Sequence, residues 1–175
     1  MERFPAGAFC VHPLQGLSKV REIKSTEILG DAVEVYVLET SRKIEVMVPV
    51  SKAGELGLRA IVDAEGAEEV FKILRSPAKE EPFTAAEGWH RRYEDLKQRI
   101  RVGSAQDLAE IVRDLAKNDK VYEINIKERE ILNQAKDLLL QELVVAMGMS
   151  KTKIGDRIDE ALKANVRRKT KEIKK

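Results

Sequence analysis

Residues 33–50 read VEVYVLETSRKIEVMVPV, two β-prone runs joined by a short polar connection. Residues 33–39 alternate partly between apolar and polar side chains, and residues 44–50 repeat this pattern after the polar stretch 40–43. Such a pair of runs is typical of a β-hairpin. Pro49 has no N–H group to donate, so it is expected at a sheet edge or a strand end. The hairpin predicts that an antiparallel sheet organises the N-terminal part of the chain.

The segments on both sides of the hairpin extend this β unit. Residues 9–23 carry spaced apolar side chains punctuated by Pro13 and Gly16, which indicates short strands joined by turns. Strands this short and closely spaced favour a strongly curved antiparallel sheet or barrel. After Gly57 the apolar spacing becomes helical, and we expect this helix to close the open end of the barrel. Its apolar face consists of Ala67, Val70, Phe71 and Leu74.

The rest of the chain has helical periodicity and predicts a compact antiparallel bundle of four or five short helices. Capping pairs mark helix starts and a glycine marks a helix end, whereas Asn118-Asp119 is expected to break a helix. These signals are Thr84 with Glu87, Ser104 with Asp107, Asn125 with Glu128, and Gly148. The predicted fold class is α+β, with a β domain and closing helix at 1–78, a linker at 79–83, an all-helical domain at 84–165 and a basic tail at 166–175.

Charge balance and cysteine content restrict the class of protein. Charged residues make up 35% of the chain, yet the formal net charge is +2, which argues against a general polyanion-coating protein. The basic excess lies at the end, where residues 163–175 hold seven basic residues against one glutamate. Cys10 is the only cysteine, and no signal-peptide or membrane-spanning run occurs. We therefore expect a cytoplasmic protein with no disulfide and no membrane contact.

The only tryptophan lies in residues 88–93, which read GWHRRY. An indole beside guanidinium groups joins a flat apolar surface to cations that hold phosphate, a combination that suits nucleic acid. The alternative is that Trp89 is a core anchor, because it begins a helical stripe of apolar residues. Its place in the first turn is where a side chain can project past the neighbouring helices. The stripe continues through Tyr93, Leu96 and Ile100.

Catalytic patterns are absent from the sequence. His12 and His90 have no partner at metal-ligand spacing, and Cys10 has no base near it in sequence. No glycine-rich phosphate loop, nucleophile elbow or metalloprotease pair occurs. We predict that the protein is not an enzyme and needs no metal or cofactor. His90 is interpreted as an exposed helix residue, with a general base or a phosphate contact as the alternatives.

From Gly7 to about Met147 the sequence resembles the CarD/CdnL family of bacterial transcription regulators. The most specific match is 89–93, WHRRY, which fits the family pattern W-x-R-R-Y. Residues 109–115, AEIVRDL, are similar to A-E-V-V-R-D-L, and 132–146 fit the family helix L-x-x-A-(R/K)-x-(I/L)-L-x-x-E-L. Weaker matches are 12–16 with Y-P-x-x-G, and Val48-Pro49 followed by 57–59 with V/I-P and V-G-(V/L)-R.

The resemblance implies a Tudor-like N-terminal β-barrel that docks on the β subunit of RNA polymerase by strand addition. Met47 and Pro49 match the polymerase-contacting strand, and Val37 and Val46 are weaker candidates. Some relatives have arginine where this chain has Met47, so the docking is expected to be more apolar here. We expect a monomer that is associated with the nucleoid through the polymerase.

The resemblance also implies an all-helical domain that reaches promoter DNA at the upstream fork of the melted region. Trp89 occupies the position of the family's wedge and would stabilise the open complex, with Arg91 and Arg92 as the adjacent basic residues and His90 as a further DNA-contact candidate. The chain departs from the family pattern at Glu94, which is often basic in relatives, in the extra residues 85–88, and in a longer basic tail.

Two other functional classes remain open from the residues alone. A free-standing DNA-binding or architectural protein would bind naked duplex with a steep salt dependence, which the near-neutral charge argues against. A protein–protein adaptor would use Trp89 only as a core residue.

Overall fold

A computed structural model describes residues 3–28, 30–78, 86–122 and 124–172, with backbone only at 28, 86–89, 121–122 and 164–172. The chain divides into two compact units, the first ending at Ile61 and the second beginning at Val62. The first is an antiparallel sheet and the second is helical, which confirms the α+β prediction.

Five antiparallel strands form the sheet in the order β4-β3-β2-β1-β5. They are β1 (Phe9–His12), β2 (Gly16–Ile28), β3 (Asp31–Thr40), β4 (Glu45–Pro49) and β5 (Arg59–Ala60), with a short 3-10 helix at Val50–Lys52. The predicted hairpin is confirmed, because β3 and β4 pair in register with Val37 opposite Met47. Among the described residues, the expected curved sheet or barrel takes the form of a sheet that is not closed. β5 pairs only with β1, so β4 and β5 remain as the two edges of an open sheet.

One face of the sheet carries the core of the first unit. Tyr36, Leu38 and Val48 alternate inward from β3 and β4, as the two-residue period of a strand requires. Near the N-terminus, Phe4 packs edge-on against the Tyr36 ring, and its backbone N–H donates to the Tyr36 hydroxyl at 3.2 Å. The other buried members of this cluster are Cys10, Val20, Ala53 and Leu58.

The helical unit consists of α1 (Ala64–Arg75), α2 (Ala86–Val102), α3 (Ala105–Tyr122), α4 (Ile126–Met147) and α5 (Lys151–Glu172). The expected break at Asn118-Asp119 is wrong, because α3 continues through both residues. Asn118 is 9% exposed and Asp119 accepts a hydrogen bond from Arg129 of α4, so tertiary contacts outweigh their weak helix propensity. In α5 the backbone helix continues to Glu172, through most of the expected tail.

Helix α1 packs with the other helices. Its apolar face, led by Phe71 and Leu74, belongs to the helical core. The Arg157 guanidinium of α5 lies 4.1 Å from the Phe71 ring centroid, and Arg113 of α3 donates to Ser76 just after α1. The boundary between the units therefore precedes α1, and the linker predicted at 79–83 lies outside the described residues.

Two of the three predicted capping pairs form in the structure. Asn125 and Glu128 form the predicted capping box at α4, and Gly148 ends that helix in the left-handed conformation. Ser104 and Asp107 exchange hydrogen bonds at the start of α3. The pair predicted at Thr84 and Glu87 falls on residues whose contacts lie outside the described part. Within the described chain, no helix combines the length and hydropathy needed to cross a membrane.

Candidate functional site

Among the described residues, strand β4 is an edge of the sheet, and its outer backbone groups pair with no other strand. The Thr40 N–H donates to the Ile44 carbonyl at 2.9 Å, and hydrogen-bonded pairs in an antiparallel ladder recur every second residue. The N–H and C=O groups of Glu45 and Met47 therefore point away from β3. The backbone of Pro49 also points away from β3, but it has a carbonyl group and no N–H. This edge can accept an extended strand over a short register that ends at Pro49.

The four predicted polymerase-contacting residues are placed differently from one another. Met47 is 50% exposed and Pro49 is partly buried, and both lie on the face of the hairpin opposite the core. Val46 is partly buried and packs against the core cluster. Val37 lies opposite Met47 but is 2% exposed. Met47 is thus the most exposed of the four, whereas Val37 is buried opposite it on β3.

Ion pairs order the end of the hairpin beside this edge. Glu39 accepts a hydrogen bond from Lys43 at 2.8 Å and another from Arg21. These two hydrogen bonds, Lys43 first, lower the pKa of Glu39. Ile44, which directly precedes β4 and is 48% exposed, is an apolar contact candidate that sequence reasoning missed. The only signal for it was an isoleucine next to a polar turn.

The tryptophan segment begins α2. Trp89 is the fourth residue of the helix and so lies in its first turn, but its side chain lies outside the described part. His90 and Arg91 are exposed, and Arg92 is partly buried. Further along the predicted stripe, Leu96 is 7% exposed and belongs to the helical core. The helix therefore presents a packed face and a solvent face within the same motif.

Arg92 is engaged with a buried carboxylate of α4. Its Nη2 donates to Glu128 Oε1 at 2.9 Å, and the two side chains are 22% and 2% exposed. The other oxygen, Glu128 Oε2, accepts from the backbone N of Asn125 at 3.3 Å and from its Nδ2 at 3.0 Å. The start of α2 is therefore connected to the capping box of α4.

Two lysines lie near Tyr93, the last residue of the WHRRY motif. The ammonium of Lys97 is 5.2 Å from the Tyr93 ring centroid and that of Lys127 is 5.5 Å from it. Tyr93 itself is partly buried against the helical core. Lys127 comes from α4, so local sequence reasoning had no signal for its place beside the motif.

Cys10 and His12 both lie on β1, and their side chains contact the protein's own backbone and core. Cys10 is fully buried, and burial raises the pKa of its thiol to about 12, which keeps it protonated and poorly nucleophilic. His12 Nδ1 accepts a hydrogen bond from the Leu14 N–H at 3.2 Å, and burial lowers its pKa. Among the described residues, no three His, Cys, Asp or Glu side chains come together as metal ligands.

Comparison with known proteins agrees with the two-unit organisation. A family model described as the CarD-like/TRCF RID domain matches residues 4–62, and one described as the CarD C-terminal domain matches residues 69–159. The chain is also 28% identical over 152 residues to a Bacillus subtilis (strain 168) protein named putative transcription factor YdeB, covering 86% of this chain and 97% of that protein. The matched domains are those of transcription factors that interact with RNA polymerase, and this chain belongs to the CarD family.

Proposed function

We propose that this protein binds the β subunit of RNA polymerase through its N-terminal Tudor-like sheet unit. In that complex it stabilises the open promoter by placing Trp89 at the upstream edge of the melted DNA. It acts in the cytoplasm, on the nucleoid, as a monomer bound to the polymerase. The observation that carries the proposal is the open β4 edge, on which Met47 is 50% exposed beside unpaired backbone groups.

Strand addition on β4 supplies the polymerase contact. Backbone hydrogen bonds from Glu45 and Met47 give affinity that does not depend on the partner's sequence, while exposed side chains provide specificity. Met47 suits this position because a flexible thioether side chain adapts to an irregular apolar surface. Pro49 limits the ladder, so the partner strand is held in one register.

The helical unit supplies the DNA contact. A stacked indole contributes about 1–3 kcal/mol, which would slow bubble collapse about tenfold to a hundredfold if it acts only on the open state. Equal binding to closed and open promoter would stabilise neither state against the other. Arg91 is exposed in the same helix and is suited to contact a neighbouring phosphate.

Tethering explains how a nearly neutral protein can act on DNA. The formal net charge is +2, so naked duplex is expected to bind weakly. Docking on the polymerase raises the effective concentration of the helical unit at the promoter, which compensates for this weak affinity.

The experiment is a lifetime measurement on open complexes formed by RNA polymerase holoenzyme and challenged with heparin. The wild-type protein should lengthen the lifetime in a saturable manner. Met47→Glu, which should not dock on the polymerase, is the control. An unchanged lifetime at saturating protein would overturn the proposal. Equal lengthening by wild type and Met47→Glu would instead indicate a free-standing DNA-binding protein.

A further inference from the structure

Arg91 and Arg92 are neighbours in sequence but have different surroundings. Successive residues of an α-helix are about 100° apart around its axis, so two adjacent side chains do not share a face. Arg91 is exposed, whereas Arg92 is partly buried and reaches Glu128 on α4. Arg92 therefore has a carboxylate partner within the protein, whereas Arg91 faces solvent.

Glu128 is built into this contact with both of its carboxylate oxygens. Oε1 receives Arg92 Nη2 at 2.9 Å, and Oε2 receives the two Asn125 donors. The Glu128 N–H in turn donates to Asn125 Oδ1 at 3.0 Å. A carboxylate that is 2% exposed is stable only when its charge is matched, and Arg92 supplies the opposite charge.

We propose that Glu128 is a positioning residue and that Arg92 is a brace, which together hold the first turns of α2 against the start of α4. Arg91, and not Arg92, then provides the phosphate contact of the arginine pair. The backbone of Trp89 lies one helical turn before Arg92, so the brace sets where that turn is placed. This inference rests on the proposed function for its effect on DNA, but the brace itself is a property of the protein alone.

The test compares Arg91→Ala, Arg92→Gln, Glu128→Gln and the double variant Arg92→Gln/Glu128→Gln in the full-length protein. Glutamine at 128 keeps the capping-box geometry, because Gln serves at that position as Glu does. The double variant also removes the carboxylate charge that Arg92→Gln leaves buried without its partner, so it should recover part of the placement that Arg92→Gln loses. Thermal unfolding of each variant shows whether it is folded.

The first readout is the salt dependence of the open-complex lifetime and of DNA binding in the polymerase complex. Arg91→Ala should lower the slope of log K against log salt by about 0.9, the value for one lost phosphate contact. Arg92→Gln should shorten the lifetime without changing the slope, and the double variant should restore part of the lifetime. An equal slope loss in Arg92→Gln that Glu128→Gln does not rescue would overturn the assignment.

The second readout does not involve transcription. The single tryptophan gives one indole N–H signal in a ¹⁵N–¹H spectrum. Arg92→Gln should shift this signal, the double variant should return it toward wild type, and Arg91→Ala should leave it in place. If the wild-type protein fails to lengthen the open-complex lifetime, the proposed function is wrong. The spectrum still tests the brace, because it does not depend on transcription. An indole signal unmoved by Arg92→Gln would overturn the brace.

Discussion

Met47 on β4 and Val37 on β3 face each other across the hairpin, yet Met47 is 50% exposed and Val37 is 2% exposed. The difference follows from strand position. β3 has neighbours on both sides, whereas β4 has one neighbour and an open edge. A residue type that is usually buried in cores is therefore presented to solvent on a rigid sheet.

Replacement of Met47 by glutamate should abolish pull-down of the RNA polymerase β subunit. A carboxylate at an apolar contact would be buried without a partner, which should weaken binding by more than about tenfold. Met47→Leu is the matched control and should retain most of the binding. Undiminished pull-down by Met47→Glu would place the docking surface elsewhere on the protein.

Replacement of Trp89 by alanine should shorten the open-complex lifetime about tenfold to a hundredfold, because the stacked indole is lost. The melting temperature should change little if the indole is not part of the helical core. Trp89→Phe should keep part of the lifetime effect, since a smaller ring still stacks. A large fall in melting temperature with an unaltered lifetime would support the adaptor function and exclude the wedge.

The thiol of Cys10 should resist an aromatic disulfide reagent in the folded protein. Burial raises its pKa from the ordinary value of 9.0 to about 12, so at a given pH the folded thiolate population falls about a thousandfold, and the side chain is also inaccessible. Labelling should accelerate in denaturant in step with unfolding of the sheet. A Cys10→Ala/Ser41→Cys variant, with its thiol at an exposed position, should react at once. Rapid labelling of native wild type would contradict the packing of β1.

Replacement of Gly103 and of Gly155 by alanine should change the free energy of unfolding in opposite directions. A Cβ at Gly103 would lie 2.2 Å from the Arg99 carbonyl oxygen, whereas a Cβ at Gly155 in α5 meets nothing within 4 Å. Gly103→Ala should lower the free energy of unfolding by about 1–3 kcal/mol through this clash. Gly155→Ala should raise it by about 0.5–1 kcal/mol, because alanine is the better helix former. Denaturant titrations measure both, and the same sign for the two would contradict the α2–α3 geometry.

Stability of the sheet unit should decrease as pH falls below about 6.5. Burial lowers the pKa of His12 below its ordinary value of 6.5, so between the folded and unfolded pKa values the unfolded chain binds more protons. The stability that the neutral His12 ring contributes is fully present above the pKa of His12 in the unfolded chain. It is lost as pH falls through the pKa of His12 in the folded protein. Denaturant titrations at pH 7.5 and about pH 5 should give a lower free energy of unfolding at the lower pH, and His12→Asn should reduce this difference. A wild-type profile identical to that of His12→Asn would exclude His12 as its source.

Local signals in the sequence were sufficient for several elements. The hairpin of β3 and β4, the Asn125–Glu128 capping box and the Gly148 helix end all follow from residues that are close in the chain. Strand alternation, cap hydrogen bonds and left-handed helix ends depend on backbone groups within a few residues. The family motif was also recognisable, because it is written in consecutive residues.

Only the tertiary structure decided which surfaces meet. The apolar stripe of α1 is equally suited to cover a sheet or to join a bundle, and packing assigns Phe71 and Leu74 to the bundle. Whether the strands close into a barrel depends on pairing between strands far apart in the chain, and β4 stays unpaired at its outer edge among the described residues. The partner of Arg92 is likewise a carboxylate on another helix. The sequence by itself therefore determined the elements and the motif. Contacts between distant residues decided where α1 packs, where the sheet ends and which arginine faces solvent, because several surfaces of similar chemistry compete for each such contact.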